Sequence, residues 1–268
     1  MSPVSRELLS VSLRPDRVLH VRLDRPKVRN AFNSQLIAEL HDCFEEASED
    51  DRCRAVLLSG EGKSFSAGAD IDWMKQQGEL SLDENVRSAL EMAAMFQSIY
   101  DCKKPVLAAI HGAALGGGTG LTAVADIAIT EDSTIFGFTE VRLGILPAVI
   151  SPYVVEKIGT AKARALFVTG SRFDGREAER IGLVFKSVPD GTLWEEIERQ
   201  IGELCQAAPK ASAKAKALAQ FLSPRPPQGD LEATARKIAE IRGSKEAKEG
   251  LTAFLEKRKA AWIEPAED

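Results

Sequence analysis

Across residues 17–23 apolar and polar positions alternate, Leu19, Val21 and Leu23 against Val18, His20 and Arg22, which is the period of a strand. The period then lengthens. Leu36, Ile37, Leu40 and Phe44 fall on one face of a helix that Asn33 can cap, expected over residues 34–51. Short apolar runs at 55–58, 106–110 and 126–130 predict buried strands, the first closed by Ser59-Gly60-Glu61-Gly62 and the second by a cluster of glycines. Strands alternating with helical stretches predict an α/β fold containing parallel pairs. Beyond about residue 158 the pattern changes. Alanine-rich stretches carrying Lys, Arg and Glu at 193–205, 209–222, 231–241 and 245–262 predict helices, separated by Pro and Gly breaks of which residues 223–229 are the clearest. The first two thirds thus read as a mixed α/β core and the last third as a helical appendage, with no internal repeat.

Composition narrows the function classes. A net charge of −5 leaves no broad basic face to neutralise phosphates, so general nucleic-acid binding is excluded. No basic start followed by an apolar core marks a signal peptide in residues 1–13, and no apolar run is long enough for a membrane span. Cys43, Cys53, Cys102 and Cys205 are scattered without metal-site spacing beside only three histidines, so reduced thiols, no metal and a cytoplasmic location are expected.

Three segments offer chemistry. SFSAGAD at 64–70 and HGAALGGGTG at 111–120 follow predicted strands, and their small residues let main-chain N–H groups approach a ligand. Each reads equally as a tight turn. The second contains no Walker lysine and no dinucleotide fingerprint, and no serine sits in a nucleophile elbow. The third, FGFTEVRLGILP at 136–147, sets Glu140 among apolar residues, where desolvation would raise its pKa toward general acid–base use. Pairing with Arg142 is the structural alternative. Taken together, two N–H sources and one buried carboxyl are the equipment for stabilising a thioester enolate.

These segments, with RPKVRNAFN at 25–33 and AFLEKRKAAW at 253–262, resemble the crotonase (enoyl-CoA hydratase/isomerase) family in order and over nearly the whole chain. The resemblance implies a crotonase-like ββα spiral core over residues 1–200, with CoA binding and catalysis, and a C-terminal helical trimerisation region over 201–268. It implies an oxyanion hole from the N–H groups of Ala69 and Gly117, and Glu140 as the catalytic acid–base. The substrate would lie along Ala67, Asp70 and Ile71, with Asp70 capping or bracing its loop. Lys27 and Arg29 would sit near the CoA phosphates. Phe254 and Lys257 match positions that in relatives help cover CoA on a neighbouring subunit, so a homotrimer or dimer of trimers is implied. CoA is part of the substrate, and no separate cofactor is called for.

One position departs from the family pattern. Hydratases of the family carry a second glutamate where this chain has Gly120, and a hydroxyl such as Thr119 is too weak a base to replace it. Asp72, Glu79 and Asp83 are nearby in sequence as possible substitutes. The wording of residues 139–154 and 169–184 resembles bacterial methylglutaconyl-CoA and carboxygeranoyl-CoA hydratases, which implies hydration of a branched or carboxylated 2-enoyl-CoA. The single retained acid points instead to an isomerase, and a noncatalytic acyl-CoA-binding homologue is the third reading. RNA binding is disfavoured, because the helix predicted after Asn33 carries Glu39, Asp42, Glu45, Glu46 and Glu49 and no lysine.

Overall fold

The computed structural model describes residues 6–223 and 231–263. A hairpin of β1 (Leu9–Leu13) and β2 (Val18–Leu23) opens the chain; α1 (Ser34–Glu49) follows and crosses to β3 (Ala55–Gly60), parallel to β2. Helices α2 (Ile71–Gly78) and α3 (Leu82–Tyr100) lead to β4 (Val106–Ile110). Next come β5 (Ala113–Leu115), α4 (Gly117–Val124), β6 (Ile127–Glu131) and β7 (Ile135–Gly137). Then α5 (Ser151–Ile158), α6 (Thr160–Thr169), β8 (Arg172–Phe173), α7 (Gly175–Ile181) and β9 (Lys186–Val188) complete two sheets. The larger has the order β1-β2-β3-β4-β6-β9 and is parallel from β2 onward; the smaller is β5-β7-β8.

Both faces of the larger sheet are covered. Along β3, Ala55 and Leu57 join Val18, Leu107, Ala109 and Ile129 against Leu193, Ile197 and Ile201 of α8 (Leu193–Gln206). Val56 and Leu58 point the other way, into the core shared with α1 and α3. This is why β3 reads as an unbroken apolar run rather than an alternation. The alternation read at 17–23 is present in β2: Val21 and Leu23 are buried with Leu19 packed beside them on one face, and Val18 is buried under α8 on the other.

The remaining helices are α9 (Pro209–Phe221), α10 (Leu231–Arg242) and α11 (Lys245–Leu255). Sheet continues past residue 158 through β8 and β9, so the expected change to a purely helical third comes later, at α8. A boundary at 200 falls inside α8, whose apolar face closes the sheet. α10 packs on α3, and α11 on α2 and on the 3-10 turn Thr139–Leu143. The helix expected over 245–262 stops at Leu255, because Lys257 takes a left-handed φ of 55°. Of the predicted break at 223–229, only Ser223 lies within the described residues. α9 buries none of its residues and leaves Leu218 and Phe221 in solvent, with Leu222 exposed just past its end. Among the described residues no helix is long and apolar enough to cross a membrane. The four thiols are free; burial pushes that of Cys43 up to about 12.

One polar side chain ties the strand ends together. The fully buried Asn30 holds Nδ2 within 2.9–3.1 Å of the carbonyl oxygens of Glu61, Ser64 and Phe65, while its Oδ1 accepts from the Arg25 N–H at 2.8 Å. Asn30→Ala should lower unfolding free energy by about 1–3 kcal/mol, since buried amide partners are left unsatisfied. Urea unfolding monitored by circular dichroism measures it, and an unchanged midpoint would contradict the role.

Candidate functional site

Loops leaving the carboxyl ends of β2, β3 and β4 are joined edge to edge. Phe32 N–H donates to Gly68 O at 2.7 Å, and Asp70 N–H donates to Phe32 O at 2.8 Å, a parallel bridge. Such a bridge uses the residues flanking Ala69, so Ala69's own N–H faces away and has no acceptor among the described residues. A second bridge joins Ser66 to the next loop: Ser66 N–H donates to Ala113 O, and Leu115 N–H to Ser66 O. Gly68, at φ +86°, lies so close to that loop that a Cβ would stand 2.6 Å from Leu115 O and 3.2 Å from Gly117 N. Gly117 opens α4, so its N–H has no partner one turn back. The unpaired N–H groups of Ala69 and Gly117 therefore lie close together at a helix N-terminus, where partial positive charge gathers.

Glu140 approaches the same place from the other sheet. It follows β7, whose Phe136 stacks on Phe173 while Phe138 meets Phe167 edge-on, and this anchors the turn that carries it. Its carboxylate lies beside Gly116: a Cβ on Gly116 would be 3.0 Å from Glu140 Oε1. The residue as a whole is half-buried, but Oε2 is enclosed and has no hydrogen-bond partner among the described residues. Arg142 forms no ion pair with it; that side chain lies exposed beside Gly170. Desolvation without a compensating charge pushes the Glu140 carboxyl up to about 7.

A cavity of about 610 Å³ joins these groups. Of the residues singled out from sequence, Ala67, Ala69, Asp70, Ile71, Gly117 and Glu140 line it, as do Arg29 and Phe254; exposed Lys27 and Lys257 do not. Asp70 caps α2 through Oδ1 to the N–H groups of Asp72 and Trp73, and its Oδ2 lies 3.5 Å from an Arg25 nitrogen. Phe254 lines the cavity of its own chain. Two close approaches allow this: a Cβ on Gly250 would come within 2.4 Å of Leu143 O, and one on Gly144 within 2.3 Å of Glu246 O, so α11 rests directly on the Glu140 turn. Among the described residues no group of three or more His, Cys, Asp or Glu side chains could hold a metal.

Gly120 has a physical explanation that the sequence did not offer. A Cβ there would lie 2.3 Å from Ile150 Cγ2 and 3.0 Å from Phe96 Cε1, so an apolar side chain fills the space a second acid would need. Thr119 is buried with its hydroxyl on Ala114 O at 2.6 Å, which makes it a structural pin. Of the nearby acids, Asp72 reaches the cavity from an exposed position, whereas Glu79 and Asp83 are exposed outside it. Sequence reading also missed Ile150, Phe32 and Arg242. Phe32 excludes a side chain at 117, where a Cβ would be 2.5 Å from its ring.

The chain can now be set beside known proteins. A sequence model described as enoyl-CoA hydratase/isomerase matches residues 14–265. A crotonyl-CoA hydratase of Syntrophomonas wolfei is 33% identical over 251 residues, covering 90% of this chain and 92% of that protein. Crystal structures of enoyl-CoA hydratases from Mycobacterium avium (34% identical, TM-score 0.84, 96% of this chain and all of that one) and Shewanella pealeana (35% identical, TM-score 0.79, 96% and 97%) share the fold.

Two measurements probe this packing and burial. Gly120→Ala should cost about 1–3 kcal/mol by overpacking against Ile150, and unaltered urea unfolding would refute the crowding. For Glu140 the folded pKa of about 7 exceeds the ordinary 4.5, so between those values the native state holds the extra proton and stability falls as pH rises. Glu140→Gln removes that loss. Its stability advantage over wild type should grow from pH 4.5 to 7 and level off at no more than about 3 kcal/mol. A gap independent of pH would show that the carboxyl is solvated.

Proposed function

The chain belongs to the enoyl-CoA hydratase/isomerase family and is an enzyme of it; from that premise we propose that it adds water to a 2-enoyl-CoA thioester, with Glu140 as the single acid–base. The observation that carries this reading is the Glu140 carboxyl, its enclosed Oε2 without a partner among the described residues, near two unpaired N–H groups. The thioester oxygen accepts hydrogen bonds from Ala69 and Gly117. Glu140 takes a proton from water as the water oxygen bonds to C3, negative charge collects on the thioester oxygen, and Glu140 returns a proton to C2. Donors fixed before reaction, at a helix N-terminus, are what such developing charge requires. A pKa near 7 lets one carboxyl both accept and return the proton.

Ala67, Asp70 and Ile71 line the substrate's path, Lys27 and Arg29 lie near the CoA phosphates, and Phe254 and Lys257 help cover CoA on a neighbouring subunit; of these, Arg29 and Phe254 also line the cavity. The sequence resemblance further suggests a branched or carboxylated acyl group such as 3-methylglutaconyl, and a homotrimer or dimer of trimers. The uncovered apolar side chains of α9 support an oligomer.

A specific observation favours a second reading. With Ile150 filling the space at Gly120, no second carboxyl among the described residues is buried beside Glu140 to share the handling of water. One carboxyl suffices to move a proton from C2 to C4 of a 3-enoyl-CoA, which is isomerisation. Incubation with 2-enoyl, 3-enoyl and 3-methylglutaconyl thioesters, with products identified by mass, separates the two: hydration adds one water, isomerisation leaves the mass unchanged. Glu140→Gln should lower turnover roughly 10²–10⁴-fold on whichever substrate reacts. Near wild-type turnover in that variant would remove Glu140 from the chemistry.

A further inference from the structure

Arg242 ends α10 and is 4% exposed, yet it lines the same cavity. It shares a helix face with Ile238 four residues earlier, and Ile238, Met74 and Met92 are apolar neighbours on the cavity lining. Its guanidinium carbon lies 5.4 Å over the Trp73 ring, and the indole is itself fixed by Nε1 donating to Ser34 Oγ at 2.9 Å. Its Nε and Nη1 are buried without a hydrogen-bond partner, and among the described residues no carboxylate pairs with it. Burial lowers its pKa to about 10, which still leaves it charged at neutral pH.

A buried cation with open donors is costly unless a counter-ion arrives. The Trp73 face offsets part of that cost, but it cannot accept the in-plane N–H bonds. A partner arriving through the cavity has to carry negative charge and suit a planar fork, and a carboxylate does both.

We propose that Arg242 is a specificity residue that binds a carboxylate at the far end of the substrate's acyl chain. This rests on the acyl-CoA reading above and narrows it to thioesters of dicarboxylic acids. The apolar groups that line the cavity with Arg242 suit the methylene or methyl-branched stretch between thioester and carboxylate. The CoA phosphates are a poorer match for such a wall, because strongly hydrated dianions would lose solvent against methionine and isoleucine.

The test is binding of saturated thioesters, which cannot be hydrated or isomerised, followed by calorimetry on the full chain. The pairs are glutaryl-CoA against pentanoyl-CoA and adipyl-CoA against hexanoyl-CoA. Wild type should prefer the carboxylated member of at least one pair by about tenfold or more, the scale of charge-assisted hydrogen bonds. Arg242→Met should bring that ratio near one, and Arg242→Lys should keep part of it. Three results overturn the proposal: no preference in either wild-type pair, a wild-type ratio retained in Arg242→Met, or equal weakening of both members, which would place a CoA phosphate on Arg242. Should Arg242→Met fail to fold, the wild-type ratio and Arg242→Lys still decide. Failure of wild type to bind any of the four would sink the acyl-CoA reading itself, an outcome distinct from equal binding of all four.

Discussion

Everything at the site depends on how the loops after β2, β3 and β4 are sewn together by main-chain hydrogen bonds. The Phe32–Ala69 and Ser66–Ala114 bridges use the peptide groups on alternate sides of each loop, and so leave the Ala69 N–H unspent. Asn30 reinforces the seam from within, with its amide on three carbonyl oxygens of the second loop. The close approach at Gly68 then sets the Ala69 donor near the free first N–H of α4. Donors held this way need no reorganisation when charge appears between them, which is where most of an electrostatic rate gain originates.

The acid is held by a different part of the molecule, and that separation matters. Glu140 belongs to the small sheet's turn, stacked by phenylalanines on one side and seated against α11 on the other. Among the described residues no cation pairs with it, and burial outweighs a hydrogen bond from its own main-chain N–H in setting its affinity for a proton. A salt bridge would have held it ionised and made it a poor proton donor. Ile150 and Phe96 close the neighbouring wall with hydrocarbon, which keeps solvent dielectric away and removes the room for a second carboxyl. The same arrangement explains why hydration and isomerisation both remain compatible with one constellation.

Much of this was legible in the sequence. The face of Leu36, Ile37, Leu40 and Phe44 carries its period openly, the Asn33 cap and the apolar runs at 55 and 106 are equally plain, and all are present. So were the two small-residue segments, because close backbone approach demands glycine or alanine. What stayed hidden was set by partners distant in the chain. α3 was missed although Ser81 and Glu84 form its capping box, since its apolar face makes sense only against α1 and α10. Gly120 looked like a lost acid until Ile150 was seen to occupy the space. The C-terminal helix ran too long on paper, because helix-forming residues continue past the left-handed Lys257. Nothing in the sequence singles out Arg242 among the helix cations; burial without a counter-ion among the described residues does.

The most direct test of the account is a crystal structure with a bound acyl-CoA. It should place the thioester oxygen within about 3 Å of both the Ala69 and Gly117 nitrogens, the distance an oxyanion donor requires, with C2 facing the Glu140 carboxyl. A thioester oxygen bound elsewhere, or a C2 turned away from Glu140, would contradict it.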